Sequence, residues 1–146
     1  MTPTAVRVEL YRSFVERCRA PSADELARVL DMSQEEVRAS LRELAEQDVI
    51  AFRPGTEELW LAHPFCATEA PFRVTAGSRE WDAICIWDAL GILALVEADG
   101  EVRTSCPDCR GPLDLDVVDG RLRVPSEAIV HFGVPARQWY EDVGYT

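Results

Sequence analysis

The sequence contains no lysine; all fifteen of its basic side chains are arginine. That absence excludes Schiff-base chemistry on a lysine amine. Asparagine is missing as well, and histidine occurs only at His63 and His131, so no spaced histidine pair exists to complete a zinc site. No apolar run reaches the ~18 residues that a membrane-spanning helix needs. The opening "MTPTAVRVELYRSF" is broken by Arg and Glu, and so lacks the apolar centre of a signal peptide. Positive charge is scarce: 15 arginines stand against 26 acids, a net charge of -11. Residues 1–62 carry 12 acids and 8 arginines, a net of -4, and residues 63–146 carry 14 and 7, a net of -7. Neither half has the clustered positive charge that phosphate binding requires. The expectation is a cytoplasmic protein with neither nucleic acid nor membrane as its main partner.

The chain does have thiols. Cys18, Cys66, Cys85, Cys106 and Cys109 are odd in number, which in a cytosolic protein argues against a disulfide framework. Reduced cysteines are packing residues, metal ligands or nucleophiles.

The pattern of the first 62 residues is helical and then extended. Val6, Leu10, Phe14 and Val15 lie at helical spacing within residues 4–19, and Pro21 stops that helix. Ser22 with Glu25, and Ser33 with Glu36, are two capping boxes that start two further helices. Val37, Leu41 and Leu44 form the apolar stripe of the third, over 33–47. "VIAF" and "ELWLA" about the turn "RPGT" then predict a hairpin. Three helices and a hairpin resemble a winged helix-turn-helix. The third helix, however, presents Glu35, Glu36, Glu43 and Glu46 beside Arg38 and Arg42, a face that repels phosphate. A packing or dimerisation role fits this module better than DNA reading.

The second half predicts a connector containing Pro64 and Pro71, a strand "FRVTA", and a helix over 79–90 with Ser78 as N-cap. Two hairpins follow, "LALVE"/"EVRTS" and "PLDLDVV"/"RLRV", the latter turning at Asp119-Gly120. "AIVHF" predicts another strand, and "PARQWYEDV" a short helix started by Pro135. The expected fold is α+β: a winged-helix-like three-helix module, 1–62, packed on a mixed or antiparallel β core with one buried helix, 63–146.

Three groups of residues carry candidate chemistry. Cys85 and Asp88, three apart in "AICIWDALGI", fall on one side of a helix, where a carboxylate can exchange a proton with a thiol or with whatever the sulfur binds. The competing account is a packed cysteine beside a surface aspartate. In the predicted helix Cys85 lies two turns in, where the helix dipole gives a thiolate little help. Cys106-Pro-Asp-Cys109 ahead of a glycine is half of a zinc site, and two unligated thiols in a turn are the alternative. Cys66 lines a pocket or packs. His131 is expected as a core or edge strand residue and His63 as exposed.

The stretches "HPFCATEAPFRV", "AICIWDALGI", "RTSCPDCRGPLDLDV" and "VHFGVPARQWYEDVGYT" occur in this order. Together with the helical N-terminal module, they resemble the alkylmercury (organomercurial) lyase family over nearly the whole chain, most closely from about residue 60. The most specific element is Cys85-x-x-Asp88 followed by Ala-Leu-Gly-Ile. The resemblance implies protonolytic cleavage of carbon–mercury bonds, giving a hydrocarbon and Hg(II), on small organomercurial substrates and with no organic cofactor. Cys85 would capture the mercury and Asp88 relay the proton, both touching the metal, with small thiols receiving the Hg(II). Cys106 falls where the family often has a structural cysteine.

The family's second catalytic cysteine follows the segment resembling "WYEDVGYT", and the sequence stops at Thr146, where that strand should begin. The resemblance therefore leaves three expectations: a shortened member, one in which Cys66 or the Cys106/Cys109 pair substitutes, or a thiol-based binder of Hg, Zn or Cu that is not a lyase. A winged-helix regulator that senses metal through its thiols is a further alternative.

Overall fold

A computed structural model describes residues 3–124 and 127–144. The chain is an α+β protein that divides into two compact units, residues 1–68 and 69–146.

The first unit begins with α1 (Pro3–Arg17), which buries Val6, Leu10 and Phe14 along one stripe, as the 3.6-residue period requires. It stops at Arg17 because Cys18 turns into the left-handed region at φ 56. Both predicted capping boxes form. At α2 (Ala23–Leu30) the Glu25 amide donates to Ser22 Oγ at 3.1 Å, and the Ser22 amide donates back to Glu25 Oε2 at 2.8 Å. At α3 (Gln34–Glu46) the Glu36 amide donates to Ser33 Oγ at 3.3 Å, and the Ser33 amide to Glu36 Oε2 at 2.8 Å. On α3, Arg42 is tied to Glu57 at 2.6 Å and to Glu35 at 3.1 Å.

Strand β1 (Ala51–Phe52) pairs antiparallel with β2 (Leu59–Ala62), forming the predicted hairpin, and β2 pairs with β3 (Phe65–Cys66). This last pairing is why the compact unit runs to Thr68 rather than ending at Ala62. Phe65 stacks on Phe14 at 4.9 Å between ring centroids, and the Tyr11 hydroxyl donates to His63 O at 2.8 Å. These contacts hold α1 against the β2–β3 turn. His63, expected to be exposed, is half-buried there.

The second unit is an antiparallel sheet in the order β5-β4-β6-β7-β8. Its strands are β4 (Phe72–Ala76), β5 (Arg79–Ala83), β6 (Gly100–Ser105), β7 (Pro112–Val118) and β8 (Arg121–Arg123). A row of buried residues crosses it: Trp81 pairs with Val74, Val74 with Val102, and Val102 with Leu115. Helix α4 (Ile86–Leu95) packs on β4, β5 and β6 and buries Ala89, Ile92 and Leu93. Asp119 and Gly120, both at positive φ, make the two-residue turn between β7 and β8 that the Asp-Gly pair predicts.

Four expectations are corrected. Residues 79–83 are strand, and the helix starts only at Ile86, so Ser78 is not its cap. Gly77, at φ 61, and Ser78 form the tight turn between β4 and β5. The "LALVE" stretch belongs to the end of α4 and not to a strand, because Leu93 is needed on the helix's buried face. The helix is buried on one face only: Trp87 is 65% and Leu95 50% exposed. Residues 128–132 form no strand and all are exposed; the "PARQWYEDV" segment holds one 3-10 turn, Ala136–Gln138. Tyr145 and Thr146 of the last quoted stretch lie outside the described residues.

Candidate functional site

The candidate site is the first turn of α4. Cys85 is its N-cap, in extended conformation at φ -141 and ψ 168. The Asp88 amide donates to Cys85 Sγ at 3.4 Å. The sulfur thus occupies the place that a serine or aspartate oxygen usually takes at a helix start. This corrects the expectation of a cysteine two turns inside a helix: the thiol sits where unsatisfied amides and the positive end of the helix dipole converge.

The proton on that sulfur is held by competing effects. Burial raises the Cys85 thiol above the ordinary cysteine range, which amides of Asp88 and Trp87 oppose. The negative charge of the Asp88 carboxylate, and the hydrogen bond that the thiol gives it, push the value up further. The balance favours the protonated thiol, with helix amides ready to stabilise the sulfur when the proton leaves.

The surroundings of this turn are partly open. Cys85 and Asp88 are half-buried, and Trp87 points outward rather than sealing the site. Trp87 contacts Phe132 edge-on at 6.5 Å, and Phe132 lies against Trp139 at 5.2 Å. Trp139 Nε1 in turn donates to Val134 O at 3.1 Å. This aromatic chain fastens residues 131–139 to the same end of α4 that carries Cys85. It was not foreseen, because these aromatics are far apart in the sequence.

Beside it lies an apolar cavity of about 330 Å³. Its wall includes Phe72, Ile86, Leu90, Thr104, Ser105, Pro107, Leu113 and Ile129. Cys85 and Asp88 are not in this wall, but Ile86 adjoins Cys85 in the chain. His131, expected in a strand, is an exposed residue on the cavity's rim.

The other thiols are placed as follows. Cys66 is buried in β3, with Thr68 Oγ1 at 3.7 Å from its sulfur. Cys106 and Cys109 stand three residues apart in a tight turn. The Cys106 amide donates to Gly111 O at 2.9 Å, and the Arg110 amide to Cys106 O at 2.8 Å. The amides of Cys109 and Asp108, and then the Cys109 thiol, donate to the Cys106 sulfur and hold it below the ordinary cysteine range. Among the described residues no group of three or more His, Cys, Asp or Glu is arranged to hold a metal. The pair therefore supplies two sulfurs, whereas a structural zinc site takes four ligands.

The opposite shifts of the two thiols give a testable order. At pH 7.5 iodoacetamide is expected to label Cys106 faster than Cys85, because only thiolate reacts. The Cys85 rate should rise with pH through a midpoint above that of an unstructured cysteine peptide, and the Cys106 rate through one below it. Peptide mapping of the alkylated protein measures both. Equal midpoints would contradict the described environments.

Comparison with known proteins bears on this geometry. The model of the alkylmercury lyase (MerB) family matches residues 65–146, more than half of the chain and all of the region around α4. The chain belongs to the alkylmercury lyase family. Among solved structures, it is similar to a crystal structure of the mercury-bound form of MerB2, with a TM-score of 0.65 and 18% sequence identity. The match covers 84% of this chain and 60% of that one, so the chain spans less than two thirds of the length of that relative. No curated protein matches the chain in sequence. Among the described residues, no helix is long and apolar enough to cross a membrane.

Proposed function

We propose that this family member is an organomercurial lyase-like protein that cleaves carbon–mercury bonds by protonolysis. The observation that carries the proposal is the Cys85 sulfur at the N-cap of α4, accepting the Asp88 amide at 3.4 Å, with the charge of the Asp88 side chain acting on it. Thiolate sulfur is the preferred protein ligand of soft metals, and the N-terminal amides of α4 favour the thiolate once formed.

In the proposed sequence of events, an organomercurial R–Hg–X meets Cys85. The thiol proton passes to Asp88, the sulfur–mercury bond forms, and X leaves. Asp88 then delivers that proton to the carbon. The carbon–mercury bond breaks, the hydrocarbon R–H departs, and Hg(II) remains on Cys85. No change of oxidation state and no organic cofactor are involved. A small thiolate, abundant in the cytoplasm, supplies the second sulfur for the mercury, and another then removes it, leaving Cys85 to take up a proton again. The cavity beside Ile86 is apolar and large enough for an aryl or short alkyl group.

The test is release of benzene from a phenylmercury salt in the presence of excess small thiol. The intact protein should release benzene with repeated turnover, and Cys85→Ser should release none above the thiol-only background. Stoichiometric retention of mercury by the intact protein, with no benzene, would instead support a non-enzymatic binder of soft metal.

A further inference from the structure

The Cys106–Cys109 turn is a second thiol site that the proposed reaction does not use. Cys109 is exposed and Cys106 half-buried, so both sulfurs can be reached from solvent. Their relative placement is fixed by backbone hydrogen bonds on either side of the turn, Cys106 N to Gly111 O and Arg110 N to Cys106 O. Cys106 and Cys109 thus stand three residues apart in one closed turn, and the amides of Cys109 and Asp108 and the Cys109 thiol favour the Cys106 thiolate.

We propose that Cys106 and Cys109 form a two-thiolate site for a soft, two-coordinate cation, Hg(II) in particular. The number of donors argues for this class. Among the described residues no third His, Cys, Asp or Glu completes a cluster here. Zinc prefers four ligands and is left half-coordinated by such a pair. Hg(II) is satisfied by two sulfurs, and thiolates are its matching donors. Binding is an exchange that balances: Hg(SR)₂ and two cysteine thiols give Cys–S–Hg–S–Cys and two RSH, with nothing oxidised or reduced. The cavity wall also matters. It carries Ile86, next to Cys85, and Ser105 and Pro107, on either side of Cys106. In this proposal the pair, whose chain neighbours share that wall with the neighbour of Cys85, receives Hg(II) released there. That destination rests on the proposed lyase reaction, whereas uptake of inorganic Hg(II) does not.

The experiment uses the reduced, full chain and inorganic Hg(II) offered as its bis-complex with a small monothiol. Native mass spectrometry counts the mercury retained, and alkylation followed by peptide mapping identifies the sulfurs it blocks. Cys85→Ser is expected to retain one Hg(II), with Cys106 and Cys109 protected together. Cys106→Ser or Cys109→Ser in that background should weaken retention against the monothiol by about 100-fold, the loss expected when a chelate becomes a single contact. The footprint on the unmutated chain should show the same two cysteines blocked, so the result does not depend on the variants folding. Mercury held while Cys106 and Cys109 stay open to alkylation would overturn the proposal. So would equal retention by the Cys85→Ser/Cys106→Ser/Cys109→Ser chain, or displacement of the mercury by equimolar Zn(II). None of these readings involves hydrocarbon release, so failure here is distinguishable from failure of the lyase proposal.

Discussion

Asp88→Asn is expected to keep mercurial capture and to lose hydrocarbon release. The two steps separate because they use different atoms. Capture needs the Cys85 sulfur and the α4 amides, including the Asp88 amide at 3.4 Å, and that amide survives the substitution. Cleavage needs a proton delivered to carbon, and an amide side chain has none to give. Removing a positioned general acid costs roughly 10² to 10⁴ in rate. The carboxylate's charge is also one of the causes that raise the Cys85 thiol, so its removal should lower that thiol's midpoint while burial continues to hold it up. The variant should therefore be alkylated at Cys85 faster than the unmutated protein at pH 7.5, yet release benzene at least about 100-fold more slowly. Single-turnover benzene release and alkylation mapping on one preparation give both numbers. Unchanged release would remove Asp88 from the reaction, and slower alkylation would show that its charge does not act on the sulfur.

The largest expected effect on stability is at Gly100. An alanine Cβ at that position would lie 2.3 Å from the Thr75 carbonyl oxygen and 2.6 Å from Leu93 Cδ2. Leu93 can shift its side chain, but Thr75 O belongs to the backbone of β4, which pairs with β6 through Thr75 and Glu101. Gly100→Ala must therefore push β4 and β6 apart or lift α4 off the sheet. Overpacking of this kind costs about 1–3 kcal/mol or more. For a chain of this size, a melting point lowered by about 2–4 °C per kcal/mol is expected. Gly77→Ala is the control: its Cβ meets nothing within 4 Å, and it carries only the strain of φ 61. Thermal unfolding followed by circular dichroism should rank Gly100→Ala well below both Gly77→Ala and the unmutated chain. Gly100→Ala melting with the unmutated chain would contradict the close approach of β4 and β6.

Gly100 also shows where the sequence misleads. In "EADGEV" an Asp-Gly pair signals a turn. The glycine in fact opens β6, and its missing side chain serves packing. Local signals with a local cause came through well. Ser22 with Glu25 and Ser33 with Glu36 start their helices because the caps are made within four residues. Asp119-Gly120 turns its hairpin because positive φ is a property of those two residues.

The boundary of α4 was lost for the opposite reason. "AICIWDALGILAL" is apolar almost throughout, so its period does not separate strand end from helix start. The alternation of Trp81 and Ala83, both buried, with Glu80 and Asp82, less buried, was the available sign of a strand. So was the two-residue Gly77-Ser78 turn. Residues 128–132 have strand-forming side chains but pair with no strand among the described residues, and propensity alone does not make a sheet. The Cys85/Asp88 pair was legible from spacing and resemblance, but its setting at a helix cap was not. That setting changes the chemistry, since an N-cap sulfur has amides that a mid-helix sulfur lacks.

The most direct test of the central claim is the origin of the hydrogen in the released hydrocarbon. Phenylmercury incubated in D₂O with the intact protein and excess small thiol should yield benzene carrying one deuterium, at a rate that Cys85→Ser and Asp88→Asn both lose. Phenylmercury recovered intact on the protein, with headspace benzene no greater than in the thiol-only control, would contradict it.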